Sequence, residues 1–118
     1  MSGRTSYYAG AAAEDIVASD YARRGWPALN KRWRGSAGEV DLIVREGDCI
    51  VFVEVKKSRS FAQAATRLSR RQMDRIYGAA SEYIANEPKG QLTDVRFDVA
   101  LVNAQGAVQI IENAFMDA

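Results

Sequence analysis

The 118-residue chain predicts one α/β domain, spanning residues 1–118, with a mixed sheet flanked by helices. Three observations point there. Residues 39–45 and 49–56 are β-branched and aromatic runs around Gly47-Asp48, the pattern of a hairpin. From Ser69 to about Asn86, the residues Met73, Ile76, Tyr77, Ala80, Tyr83 and Ile84 recur at three- and four-residue steps, as on an amphipathic helix. The apolar run 95–102 follows, and such a strand–helix–strand crossover is expected to be parallel and right-handed. A 47% hydrophobic content allows one core of modest size.

The elements follow in order. A first helix is expected over about residues 6–24, with Ile16, Val17 and Tyr21 as its inner stripe and Gly25 as its stop. Residues 26–34 read as an edge strand, Pro27 being tolerated near its start. Trp33 on that strand either packs on the sheet or stacks on a base. In the hairpin, Gly47 can supply the positive φ of a two-residue type II′ turn, which sets Glu46 opposite Cys49 and Asp41 opposite Glu54. Alternation then gathers Glu39, Asp41, Glu54 and Lys56 on one face, and Val40, Leu42, Val44, Val51, Val53 and Val55 on the other. The first face is expected to be a cluster of charge and the second a core. Cys49, the one cysteine, excludes an internal disulfide and reads as a small core residue.

Residues 58–67 lack periodicity and are expected to form a mobile loop beside Lys56. Ser69-x-x-Gln72 fits a capping box. Pro88 stops the second helix, and a short strand over 107–111 follows the turn at 103–106. Asp98 alternates with Arg96 and reads as either a structural ion pair or a ligand. No internal repeat or low-complexity segment appears.

Asp41, followed thirteen residues later by Glu54-Val55-Lys56, carries the chemistry. Charges on strands that otherwise hold Val, Ile and Phe are costly unless partnered. Like charges directly opposite on a hairpin repel, and a divalent cation between them reverses that sign. Mg²⁺ takes oxygen ligands and needs only one or two protein carboxylates, so Asp41 and Glu54 would suffice. Lys56, on the same face, could stabilise charge on a phosphorane-like transition state. The bland alternative is a salt-bridged, solvated face in which Glu39 pairs with Lys56.

The chain has no histidine, which removes His-based acid–base catalysis, Ser-His-Asp and Cys-His nucleophiles, and His-ligated zinc. No stretch approaches a membrane span and the first thirteen residues lack a secretory pattern, so a cytoplasmic location without membrane association is expected. Net charge is only +1, but its distribution is uneven. Lys56, Lys57, Arg59, Arg67, Arg70, Arg71 and Arg75 face a single acid, Asp74, and Arg23, Arg24, Lys31, Arg32 and Arg34 form a second cluster. A basic rim around an acidic centre suits a phosphate backbone, whereas Arg70, Arg71 and Arg75 alone would equally suit a solvated helix face.

Residues 38–43, 51–56, 96–99 and 113–115 together resemble the bacterial YraN family, within the PD-(D/E)xK nuclease superfamily, and the likeness extends from Gly10 to Phe115. The same core is similar, more distantly, to archaeal Holliday-junction resolvases. The resemblance implies a restriction-endonuclease-like αβββαβ core, a Mg²⁺ or Mn²⁺ site at Asp41 and Glu54 with Lys56, and a further site acid at Glu14. Val40 stands where the superfamily's name has Pro. The implied activity is metal-dependent endonucleolytic cleavage of DNA, with branched or structured DNA as substrate. A homodimer would serve a two-fold junction, and Ile110, Ile111 and Phe115 are interface candidates. The resemblance also implies a polar residue near the site at Gln72, and Glu39 is a further accessory candidate. The alternatives are a catalytically silent nucleic-acid-binding module working through the basic rim, and a protein-assembly factor.

Overall fold

The computed structural model describes residues 2–114, with side chains from residue 12 onward; Phe115 lies outside them. A helix α1 (Ser2–Arg23) leads to β1 (Ala28–Arg34), β2 (Glu39–Glu46) and β3 (Cys49–Lys57). A short α2 (Phe61–Ala65), a long α3 (Arg70–Ile84) and a 3₁₀ turn (Gly90–Leu92) then connect to β4 (Val95–Val102) and β5 (Val108–Ile111). The strands form one mixed sheet in the order β1-β2-β3-β4-β5. Only β3 and β4 pair in parallel, as the α3 crossover requires.

Local chemistry accounts for the boundaries. Gly25 has φ +88 just past α1, and the Tyr21 carbonyl accepts from the Arg24 and Trp26 amides, closing the helix end. Gly47 has φ +60 at the first central position of the hairpin turn, and Glu46 pairs with Cys49 as the turn type requires. At α3 the Ser69 hydroxyl accepts from the Gln72 amide while the Gln72 side chain accepts from the Ser69 amide, a complete capping box. The expected loop after Lys56 instead contains α2, because Ser60 caps a turn that lets Phe61, Ala64 and Leu68 reach the core.

The sheet is covered on both faces. Ala13, Val17, Ala18 and Tyr21 of α1 pack on Leu42, Val44, Val51, Val53, Ala100 and Val102. Ile76, Ala79, Ala80 and Ile84 of α3 pack on Val40, Ile43, Ile50, Phe52, Val99 and Leu101. This corrects the expectation of one apolar and one charged face. Ile43, Ile50 and Phe52 lie on the supposedly charged side and fill a second core, so charge is confined to the strand ends. A central strand with helices on both sides must be apolar on both, and residues 50–54 of β3 are all buried. Each large side chain so buried contributes about 1.5–3 kcal/mol.

Trp33 packs rather than projects, meeting Tyr83 of α3 edge-to-face at a centroid distance of 5.2 Å. The turn between β1 and β2 sits directly on α3. Glu82 accepts from both the amide and the hydroxyl of Ser36, at 2.8 and 3.2 Å, and a side chain at Gly78 would meet the Ala37 methyl at 2.7 Å. On the other face, level with Val53, fully buried Asp98 accepts from Tyr21, from two nitrogens of Arg96 and from the Asn113 amide. The structural ion pair is therefore the role Asp98 has in the fold. No helix among the described residues is long and apolar enough to cross a membrane.

Candidate functional site

The site forms where β2 and β3 part. Their ladder runs from Glu46↔Cys49 to Leu42↔Val53. One residue further, a side chain replaces the backbone acceptor, as Asp41 Oδ2 takes the Val55 N–H at 2.8 Å. Strict alternation also fails here. Leu42 faces α1, yet Val40, two residues earlier, joins the core under α3. Level with Asp41 on the neighbouring strand, between the Lys31↔Leu42 and Trp33↔Val40 pairs, Arg32 has φ +53. A non-glycine residue in that conformation is strained, and such strain concentrates at functional sites.

That slip changes the expected arrangement. Asp41 turns toward the α1 side, where it lines a cleft of about 190 Å³ with Ala13, Glu14, Arg32, Val55 and Lys57. Glu54 and Glu39 line a cleft of about 170 Å³ on the α3 side, with Gly38, Gln72, Arg75 and Ile76. The four charges do not share one face as regular alternation would have it. Asp41 and Glu54 are nonetheless close enough for the charge of one to act on the other.

Two facing carboxyls in a low-dielectric setting cannot both ionise cheaply. Glu54 is only 9% exposed. Burial, followed by the hydrogen bond and charge of Asp41, pushes its carboxyl up to about 9, against the opposing pull of Lys56 and the Val55 amide. With no cation bound, Glu54 therefore keeps its proton near neutral pH. Two hard oxygen donors whose mutual repulsion a divalent charge would relieve fit Mg²⁺ or Mn²⁺, which complete their shells with water and phosphate. Among the described residues no three acidic, cysteine or histidine side chains converge as a ready-made cage. Any cation here would rely on solvent or substrate for most of its ligands.

Glu14, on α1, is nearly buried and takes the Arg32 Nε on both oxygens at 2.6 and 3.2 Å. Burial raises its carboxyl, the Arg32 hydrogen bond opposes that, and the Asp41 charge adds to the rise. Arg32 is the residue that sequence reasoning left in a generic basic cluster. Its inverted φ, which turns it onto Glu14, has no signal in residue type. Lys56 is half-buried and acts on Glu54, while exposed Lys57 lines the Asp41 cleft. Glu39 pairs with Arg34 at 2.8 Å, so the ion pair imagined with Lys56 is replaced by one across the β1–β2 turn.

The remaining basic residues spread along one rim. Arg59, Arg67, Arg70, Arg71 and Arg75 are all exposed. Arg67 donates to the Lys57 carbonyl at 3.2 Å, and Arg70 lies 3.6 Å from Asp74. Gln72 serves both of its expected positions, since it caps α3 and lines the Glu54 cleft.

Comparison with known proteins gives a consistent relationship. The model of the family described as "Uncharacterised protein family UPF0102" matches residues 13–102. A UPF0102 protein of Cereibacter sphaeroides is 67% identical over 98% of each chain. One from Ruegeria pomeroyi is 57% identical over 96% of this chain and 92% of its own. One from Roseobacter denitrificans is 52% identical over 98% of this chain and 89% of its own.

Proposed function

The chain belongs to the UPF0102 family, and we propose that this member is a Mg²⁺- or Mn²⁺-dependent nuclease that hydrolyses DNA phosphodiester bonds, in branched or otherwise structured DNA. One observation carries the reading: Glu54, buried beside Asp41 at the strand gap, keeps a like-charged neighbour that a merely structural site would have no reason to retain. The likeness of residues 38–43 and 51–56 to PD-(D/E)xK nucleases supports it.

Asp41 and Glu54 would hold the cation. When bound, such a cation supplies Lewis-acid polarisation of a phosphodiester and activation of the attacking water. The chain's own residues do the rest. The Val55 amide fixes the Asp41 carboxylate through Oδ2. Lys56, close enough to act on Glu54, presents a positive charge where negative charge accumulates on the reacting phosphate. Glu14, clamped by Arg32, adds a carboxylate on the α1 side that can orient water. Lys57, Arg59, Arg67, Arg70, Arg71 and Arg75 would take backbone phosphates.

The test is cleavage of labelled duplex, single-stranded and four-way-junction DNA with Mg²⁺, Mn²⁺ or EDTA, using the native chain and the variants Asp41→Asn and Glu54→Gln. Metal-dependent cleavage that both substitutions abolish is expected. Cleavage that survives them would overturn the assignment. A second reading, a nucleic-acid-binding module without turnover, draws on the same exposed arginines. Salt-sensitive binding with no cleavage under any metal would favour it.

A further inference from the structure

Asp41 and Glu54 are close enough for their charges to interact, yet each lines a cleft on a different face of the sheet. The α1-side cleft carries Lys57 and the α3-side cleft carries Arg75. Both cations are exposed, and neither is ion-paired with a described residue. The acids around them are already met, Glu14 by Arg32 and Glu39 by Arg34. On the α3 side the cleft continues outward, sharing Gly38, Glu39 and Arg75 with a wider groove of about 410 Å³ that Arg34 and the turn at 35–38 complete. Between the faces the backbone ladder has ended, and past it the bond from the Val55 amide to Asp41 Oδ2 links β2 to β3.

We propose that the site takes a single unpaired nucleic-acid strand that crosses from one face of the sheet to the other at Asp41 and Glu54, with Lys57 holding a phosphate on one side of the scissile bond and Arg75 holding one on the other. The inference rests on the phosphodiesterase reading above and adds the substrate class to it. A backbone whose flanking phosphates lie on opposite sheet faces must turn sharply within a few nucleotides. Duplex DNA, stiff over about 150 base pairs, resists such a turn, whereas an unstacked single strand adopts it freely. A free end, a flap or the unpaired arm of a branch would all present such a strand.

The experiment reads binding alone, by fluorescence anisotropy in EDTA, with one labelled sequence offered as single strand, as a flap and as full duplex. The single strand and the flap are expected to bind about tenfold more tightly than the duplex. Lys57→Ala and Arg75→Ala should each lower the salt slope on single strand by about 0.7, the value for one lost phosphate contact. Lys89→Ala, which removes an equal charge beside Arg45 and Asp48 at the hairpin end, should leave the slope unchanged. Single methylphosphonates walked along the strand should weaken binding at two separate phosphates, one effect vanishing in Lys57→Ala and the other in Arg75→Ala. Duplex binding equal to single-strand binding would overturn the proposal. So would slopes indifferent to both substitutions, or both variants masking the same phosphate. Because no turnover is read, a failure to cleave DNA sinks only the nuclease reading. Cleavage without this two-sided phosphate pattern sinks only the path.

Discussion

The Val55 amide donates to Asp41 Oδ2 at 2.8 Å, so a carboxylate stands where the next backbone acceptor of the hairpin ladder would be. The bond ties the position of one site acid to the backbone of the strand that bears the other. It also makes Asp41 a structural residue as well as a candidate ligand, so its loss removes a hydrogen bond to a charged group worth about 1.5–3 kcal/mol. Glu54 offers the cleaner separation of stability from activity.

Glu54→Gln should leave the metal-free protein as stable as the native chain, or more so, at pH 7–8. Burial and Asp41 keep Glu54 protonated there, and glutamine reproduces the neutral form without the option of ionising. Metal-dependent cleavage should fall on the order of 10²–10³-fold, the loss of several kcal/mol of charge stabilisation. Thermal denaturation in EDTA beside a cleavage assay checks both halves. A large fall in Tm would show that Glu54 serves the fold as an anion.

The stability of the metal-free protein should decline with rising pH. Glu54 binds its proton more tightly folded, at about 9, than unfolded, at the ordinary 4.5. Its contribution is therefore complete below about 4.5 and is lost as pH climbs toward 9, with a slope of up to about 1.4 kcal/mol per pH unit from this group. Mg²⁺ or Mn²⁺ should bind more tightly as pH rises through that window, releasing a proton as it does so. Urea titrations at several pH values, with and without metal, read both trends, and a metal affinity that weakens with pH would contradict the proton held on Glu54.

Asp98→Ala should cost about 3–5 kcal/mol, because it leaves Arg96, whose side chain is only 13% exposed, without its buried counter-charge. Tyr21→Phe removes one 2.8 Å bond to the same carboxylate and should cost about 1.5–3 kcal/mol. Chemical denaturation measures the two. Single-strand affinity at a temperature where both variants remain folded should not change, since neither Asp98 nor Tyr21 lines the Asp41 or the Glu54 cleft.

Arg32→Gly should be more stable than Arg32→Ala by about 1 kcal/mol. Both lose the pairing with Glu14, but only glycine relieves the positive φ of +53. Equal stability of the two would mean that the backbone relaxes once the Glu14 contact is gone. Differential scanning calorimetry of the pair decides between these.

The hairpin, its turn and its register were legible because Gly47, the alternation and the position of Cys49 all state the same local geometry. The capping box at Ser69 and Gln72 was legible for the same reason. What escaped was set by distant contacts. By alternation Ile43, Ile50 and Phe52 fall on the face assigned to Asp41 and Glu54, and only the presence of α3 above them makes them a core. The α2 turn depends on a pocket for Ala64 that no periodicity announces. At the site, the opposition of Asp41 to Glu54 followed from counting residues, whereas the slip between Val40 and Leu42 and the inverted backbone of Arg32 arise from packing on both sheet faces. That slip is what divides the charges between two clefts.

The continuous burial of residues 50–54 in β3 has a consequence for how motion is partitioned. A strand hydrogen-bonded on both edges and covered on both faces opens only with the whole domain, so its amides belong to the slowest-exchanging cooperative unit. Glu54 is its last buried residue, and Asp41 is tied to the amide that follows. From Ser58 onward, through Arg59, α2 and Arg67, the side chains are mostly exposed and the backbone lies outside the sheet. The boundary between rigid and readily opening chain falls within four residues of Glu54. The segment we propose to grip phosphate can loosen, release and re-form without disturbing the spacing of the two carboxylates.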